Sequence, residues 1–366
     1  MPFSQARFKQ PSPKKTVIFT LSICKLYKVS ATKNLNQIKY RINPKILKRV
    51  GKTIKFSYFN MKKVFFFSAV ICAFLVSCKV LNQNTEQSTS EETSLNLFMV
   101  NEPTQDIVGN LLDYKKRSLT ISPDGTQLVH LSGLTGKNTI VVRDINNKNN
   151  FSQRTSRKSS CPYLGVDGNI YFSDMESSQP AISSVNSERG TIIRQYTNGC
   201  MDYNPILTLD GKKLFFERRY SGSNNADIWC IDLKTNVTTL CCKGEYPVPV
   251  DKTGTKIMCV RNNAIWIVDY IAGTESLILN RSDIRFYAPA ISSDGKWILC
   301  SGYSMSDNNY DIYVVRADGS DFTRLTYHSG NDLFPVWSKD GKFIYFISNR
   351  ANSNRKYNIW QISFPL

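Results

Sequence analysis

Six short turns recur along this chain, and their spacing limits the fold more than any other feature. They are Ser122-Pro123-Asp124-Gly125, Gly165-Val166-Asp167-Gly168, Thr208-Leu209-Asp210-Gly211, Asp251-Lys252-Thr253-Gly254, Ser292-Ser293-Asp294-Gly295 and Ser338-Lys339-Asp340-Gly341. Their glycines stand 43, 43, 43, 41 and 46 residues apart. One Asp-Gly pair means little, but a near-constant period of this size marks a repeated supersecondary unit. A Ser, Thr or Asp at the first position can hydrogen-bond the backbone two residues on. Gly at the fourth takes the positive φ that a three-residue hairpin with a bulge needs.

Each turn is followed by an apolar strand: residues 127–131, 170–173, 213–217, 256–260, 297–300 and 343–347. The last reads Phe343-Ile344-Tyr345-Phe346-Ile347, a continuous run that suits a strand buried on both faces between neighbouring sheets. A third strand follows, clearest at Asp227-Ile228-Trp229, Ala264-Ile265-Trp266, Asp311-Ile312-Tyr313 and Asn358-Ile359-Trp360. A fourth, such as Phe322 to Thr326, precedes the next unit. Four strands with their turns need about 40–45 residues, the period of a propeller blade. No helical period of useful length follows residue 95. The expected fold is therefore all-β, a six-bladed β-propeller of four-stranded blades over residues 96–366. The final unit stops at its third strand, Ile362-Ser363-Phe364, so the segment Leu95 to Leu112 is expected to supply the missing strand and close the ring.

The stretch Phe334-Pro335-Val336-Trp337-Ser338-Lys339-Asp340-Gly341-Lys342, then an apolar strand with Ser348-Asn349-Arg350, then Asn358-Ile359-Trp360, resembles the propeller repeat of the TolB family. The same repeat occurs in the propeller domains of prolyl-oligopeptidase-type peptidases and the tricorn protease. The resemblance spans nearly all of residues 118–366. It is strong in the first, third, fifth and sixth units and weaker in the second and in the fourth, where Thr253 replaces the turn Asp. It implies a scaffold that binds a protein or peptide segment of the cell envelope, within a Tol–Pal-like or secretion assembly. Two departures stand out. TolB carries an α/β domain before its propeller, and no such pattern precedes this one. The peptidases add a hydrolase domain, and no G-x-S-x-G nucleophile elbow occurs here.

The formal net charge of +18 would ordinarily point to nucleic acid or an anionic membrane. Its distribution removes the nucleic-acid reading. Residues 1–60 hold 14 Lys or Arg and no Asp or Glu, Lys62 and Lys63 follow, and the rest balances to only +2. Met61-Lys62-Lys63, an apolar run from Val64 to Val76 and then Ser77-Cys78 read as a secretory signal peptide over 61–77. The apolar run is too short for a comfortable membrane span. The ending Leu75-Val76-Ser77-Cys78 resembles the lipobox of bacterial lipoproteins, which implies lipidation at Cys78. Met61 then reads as the true start, and residues 1–60 as a mis-assigned leader. Residues 78–95, rich in Gln, Asn, Ser, Thr and Glu, read as a flexible tether. Lys79 after the Cys implies an outer-membrane protein facing the periplasm.

No catalytic or metal-binding constellation is evident, and no cofactor is expected. The chain has 2 histidines, His130 and His328, each read as an ordinary strand or loop residue. Propeller lyases that depend on a metal need a His cluster. Of the ten cysteines, Cys259 and Cys300 read as small buried hydrophobes, and Cys230 and Cys241 could bridge paired strands. The candidate binding residues precede the innermost strands. Tyr203, Tyr246 and Tyr287 stand seven residues before the third turn position, and Asp202, Glu245 and Asp332 stand eight before it. These positions approach the mouth of the central channel, where the tyrosines either face a partner or pack between blades. The leading expectation is an envelope-anchored interaction module. The alternative is a carbohydrate- or peptide-active enzyme, or a glycan-binding protein, working at the same mouth.

Overall fold

A computed structural model of the chain describes residues 98–99, 115–133, 138–147, 149–188, 190–223, 225–351 and 357–364. All belong to the compact unit Cys78–Leu366. The expected signal peptide, Cys78, the tether and most of Leu95 to Leu112 lie outside the described residues.

The described strands run in chain order. β1 is Phe98–Met99. Blade 1 holds β2 Leu119–Ile121, β3 Gln127–Ser132, β4 Thr139–Asp144 and β5 Phe151–Gln153. Blade 2 holds β6 Ser159–Leu164, β7 Asn169–Asp174, β8 Ala181–Asn186 and β9 Ile192–Gln195. Blade 3 holds β10 Met201–Leu207, β11 Lys213–Arg219, β12 Ala226–Asp232 and β13 Thr238–Lys243. Blade 4 holds β14 Glu245–Pro249, β15 Lys256–Arg261, β16 Ala264–Asp269 and β17 Thr274–Leu279. Blade 5 holds β18 Ile284–Ile291, β19 Trp297–Ser304, β20 Asn309–Arg316 and β21 Thr323–Arg324. Blade 6 holds β22 Asp332–Trp337, β23 Phe343–Ser348 and β24 Asn358–Ser363.

Each blade is an antiparallel sheet whose strands lie in sequence order, and the first strands touch one another around a closed ring, β2 meeting β22. The sixth sheet has the order β1-β24-β23-β22, with Phe98 opposite Gln361 and Met99 opposite Trp360. The fold is a six-bladed propeller of four-stranded blades, with its last sheet completed by the segment that precedes blade 1.

The turns form as their chemistry dictates. Ser122 Oγ donates to Asp124 Oδ1 at 2.5 Å, the Thr126 amide donates to the same oxygen at 3.0 Å, and the Gln127 amide donates to Ser122 Oγ at 2.9 Å. Ser292/Asp294 and Ser338/Asp340 repeat this, and Thr208/Asp210 is alike. In blade 4, Asp251 performs both tasks and receives the amides of Thr253, Thr255 and Lys256. Burial is the largest single influence and raises its carboxyl, but the hydroxyls of Thr255 and Thr253 together with the amides outweigh it and bring the group down to about 2. In blade 2, where Gly165 stands in place of Ser, the Tyr171 hydroxyl donates to Asp167 Oδ2 at 2.8 Å instead.

The second strands are buried on both faces. In β23, Ile344 and Phe346 pack with Leu299, Ile312 and Val314 of blade 5, while Tyr345 and Ile347 pack with Leu119 and Leu128 of blade 1. Alternate side chains of one strand thus join two blades. Cys300 and Cys259 are buried core residues, as expected. The fourth strands face water, as the exposed Leu240 and Leu277 indicate.

Candidate functional site

The inner strands carry a feature that the turns do not announce. In five blades a residue of positive φ stands immediately before a proline: Cys161 (52°), Asn204 (51°), Tyr246 (57°), Ala288 (46°) and Phe334 (54°). The ladder to the second strand shifts register at each of these places. A bulge leaves one residue unpaired, and proline has no amide to lose there. The bulge residue's own amide still needs a partner. The neighbouring blade provides it: Tyr246 N donates to Glu217 Oε2 at 3.1 Å, and Phe334 N to Ser301 Oγ at 2.9 Å. Glu217 and Ser301 hold the same place in their blades, opposite Tyr203 and Tyr287.

A polar network crosses the axis from this level. The Arg117 amide of blade 1 donates to Asn204 Oδ1 of blade 3 at 2.9 Å. Asn204 Nδ2 donates to Glu217 Oε2 at 2.9 Å and approaches the Lys115 carbonyl at 3.2 Å. Arg219 Nη2 stands 2.5 Å from Glu217 Oε1 and 3.1 Å from Glu245 Oε1. Burial pulls the Arg117 guanidinium below its ordinary value. Burial also opposes the charge on Arg219, but Glu217 and Glu245 more than offset it and hold the group above its ordinary value. Burial, then the charge of Glu217, raises the Glu245 carboxyl, against the pull of Arg219. Blades 1 and 3 are not neighbours in the ring, so these bonds bridge across it.

The expected site residues fall into this frame unevenly. Asp202 is fully buried and accepts from Arg218 Nε and Nη2 at 2.8 and 3.0 Å. Asp332 is fully buried and accepts from Arg350 Nη2 at 2.5 Å. Tyr203 is 7% exposed with Lys116 Nζ 4.7 Å from its ring centre, and Tyr246 is 0% exposed. Tyr287 is half-buried. One expectation needs correction, because the three tyrosines are not equivalent. The blade 4 turn is one residue longer: Val250 N donates to Lys256 O, six residues on, where Thr208 N donates to Lys213 O, five residues on. Counting back from the turn therefore slips by one. Glu245 is the true counterpart of Tyr203 and Tyr287, and Tyr246 that of Asn204 and Ala288.

What the structure gathers at this end of the ring is a file of four tyrosines. Ring centres are 6.5 Å apart for Tyr246–Tyr287, 5.5 Å for Tyr287–Tyr310 and 5.0 Å for Tyr310–Tyr303. It runs from the axis outward over blade 5, and Tyr287, Tyr303 and Tyr310 keep partial exposure. Beside it Arg324 Nη2 donates to the buried Asp311 at 2.7 Å, and Arg324 Nη1 to Asp307 at 2.7 Å. Burial, helped by the charge of Asp332 and opposed by Arg324, pushes Asp311 up to about 8. A separate open groove of about 510 Å³ lies between blades 2 and 3, lined by Gln195, Tyr196, Thr197, Asn198, Arg218, Trp229 and Thr238. Among the described residues no group of three or more His, Cys, Asp or Glu side chains is placed to hold a metal. His130 lies inside blade 1, and His328 in the link between blades 5 and 6, where its Nδ1 accepts from Gly330 N at 2.8 Å.

Comparison with known proteins supports the fold. No protein-family model matches the chain. An uncharacterised protein of Agrobacterium fabrum is 32% identical over 100 residues, 27% of this chain and 32% of that protein, so the match spans about a third of that relative. Among solved structures, the TolB candidate of Agrobacterium tumefaciens is similar over 74% of this chain and 97% of that one, with 17% identity and a TM-score of 0.51. TolB of Acinetobacter baumannii is similar over 69% of this chain and 65% of that one, with 18% identity and a TM-score of 0.51. An oligogalacturonate lyase of Vibrio parahaemolyticus is similar over 74% and 93%, with 11% identity and a TM-score of 0.50. The shared property is the β-propeller.

Proposed function

We propose that the chain is a TolB-like binding scaffold, held in the bacterial envelope by lipid at Cys78, whose partner is a protein or peptide segment. The observation that carries this reading is the tyrosine file over blade 5. Its three partly exposed rings, Tyr287, Tyr303 and Tyr310, offer apolar faces with polar tips, backed by the buried Tyr246, which suits a recognition surface. The Arg117, Asn204 and Glu217 network ties blades across the ring, which favours a partner meeting the rim. The buried carboxylates Asp202 and Asp332 are taken up by Arg218 and Arg350. The Leu75-Val76-Ser77-Cys78 ending supports anchoring, and Lys79 after it favours the outer membrane, facing the periplasm.

The test pairs capture with stability. The double variant Tyr287→Ala/Tyr303→Ala, expressed beside the wild type in its native envelope, should lose the partner that chemical crosslinking captures on the wild type. Its thermal midpoint should fall only modestly, since both tyrosines are half-buried. Undiminished capture of the same partner by the variant would reject the rim as the binding surface.

A carbohydrate ligand is the second reading, supported by the groove between blades 2 and 3. Tyr196 and Trp229 supply ring faces there, and Gln195, Asn198 and Arg218 supply planar hydrogen-bonding groups. Binding of an acidic oligosaccharide that Trp229→Ala abolishes would favour it over the peptide reading.

A further inference from the structure

Four cysteines meet in one place, in the core between blades 3 and 4: Cys230, Cys241, Cys242 and Cys259. All are free thiols. Adjacent residues of a regular strand point to opposite faces, so Cys241 and Cys242 should not share a side. A bulge lets them do so. Ile228 pairs with Cys242 and Trp229 with Leu240, which leaves Cys241 as the extra residue of β13. Both cysteines then pack against the blade 3–blade 4 core, while Leu240 turns to solvent.

The four thiols are sorted into pairs. Cys241, whose thiol donates to the Thr239 carbonyl at 3.7 Å, is paired electrostatically with Cys230, and Cys242 with Cys259, within the one packed cluster. The first pair joins neighbouring strands of blade 3. The second joins the outermost strand of blade 3 to the second strand of blade 4. Gly244 shows how closely the chain passes there: a Cβ on it would stand 3.0 Å from Cys259 Sγ and 3.2 Å from Cys259 Cβ. Its φ of +151° also favours glycine. Cys241 and Cys242 are half-buried and reachable, whereas Cys230 and Cys259 are buried behind them. The partner thiol, Cys241 for Cys230 and Cys259 for Cys242, favours a thiolate at Cys230 and Cys242 against the effect of burial, and the nearby Lys213 and Arg261 add to it.

We propose that these thiols form two disulfides, Cys230–Cys241 within blade 3 and Cys242–Cys259 between blades 3 and 4, by exchange with a disulfide-bearing oxidant. The Cys242 thiolate attacks one sulfur of the oxidant, and the other sulfur leaves as a thiolate. Cys259 then loses its proton to solvent, and its sulfur attacks the Cys242 sulfur and expels the second half of the oxidant. Two thiols have lost two protons and two electrons, and one external disulfide has become two thiols. The second pair exchanges by the same two steps, with the thiolate favoured at Cys230 rather than at Cys241, whose thiol its pairing with Cys230 and burial hold well above the ordinary value. The inter-blade bond ties the exposed fourth strand of blade 3 to a buried strand of its neighbour, and so restrains the two blades from parting. This chemistry does not rest on the partner proposed above.

The test uses the full chain, reduced and then incubated with oxidised glutathione. Remaining thiols are alkylated, the chain is digested with trypsin, and linked peptides are sequenced by mass spectrometry. The peptide with Cys241 and Cys242 should be joined both to that with Cys230 and to that with Cys259. Cys242→Ser should remove the link to Cys259 and leave the link to Cys230. Full alkylation of all four residues, glutathione adducts without internal links, or a Cys241–Cys242 bond would overturn the proposal. So would survival of the Cys259 link in Cys242→Ser.

Discussion

His130 sits in the middle of β3 at 1% exposure, and its surroundings settle its protonation. Nδ1 stands 3.0 Å from the Leu131 carbonyl and so carries the hydrogen, while Nε2 has no partner among the described residues. Burial, with the charge of Arg143 adding to it and the Leu131 carbonyl opposing, lowers its pKa from 6.5 to about 4. The unfolded chain takes up a proton near the ordinary value, and the folded chain resists until well below it. His130 therefore contributes stability that is complete above pH 6.5 and is lost as pH falls through 6.5 toward 4. The shift corresponds to roughly 3 kcal/mol. Urea titrations between pH 7 and 4 should show wild-type stability falling by about that much more than His130→Gln, which keeps a donor but cannot titrate. Equal slopes in the two proteins would refute the assignment.

At the level of the element, the six turns share a sequence but not a setting, and glycine substitutions separate the two. Gly254 and Gly168 have φ values of +65° and +77°, so alanine strains either backbone by a similar amount. Their surroundings differ. A Cβ on Gly254 would stand 2.5 Å from Thr208 Cγ2 and 2.8 Å from Phe215 Cε2 of blade 3, whereas one on Gly168 meets nothing within 4 Å. Gly168→Ala should cost about 1 kcal/mol, the backbone cost alone. Gly254→Ala should cost about 2–4 kcal/mol, because it adds a clash with a packed ring to that cost. Parallel thermal melts decide, and equal losses would mean the blades yield without resistance. The same turns show what was legible in the sequence. They and the apolar second strands are local patterns, so blade number, strand order and the turn hydrogen bonds could all be read directly. The channel residues could not, because Arg117 and Asn204 lie 87 positions apart and only ring closure brings them together. Tyr246 was misplaced for a simpler reason, an extra residue in the blade 4 turn. The prolines carried that information. Pro205 and Pro247 are 42 apart where their turn glycines are 43 apart, so alignment on the bulge rather than the turn would have set Glu245 beside Tyr203.

For the molecule as a whole, the decisive contact is the smallest. β1 contributes only Phe98 and Met99, yet it covers the outer edge of β24 and completes the sixth sheet. Without it, β24 would present unpaired amides and carbonyls along a strand that includes the buried Ile359 and Ile362, a ready template for association. The consequence should not stay local. Blade 6 packs through Tyr345 and Ile347 on blade 1, and through Ile344 and Phe346 on blade 5, so loosening β24 weakens both interfaces at once. A ring whose neighbours share cores in this way should melt as one body rather than blade by blade. Deleting residues 95–112 is therefore expected to lower the midpoint of a single transition and to make the protein associate as its concentration rises. Calorimetry together with light scattering over a concentration series reads both effects. An unchanged midpoint would show that the ring is held by the blade 1–blade 6 packing alone. A separate early transition confined to one blade would show that closure is a local matter. Either result would remove β1 from the set of contacts on which the propeller depends.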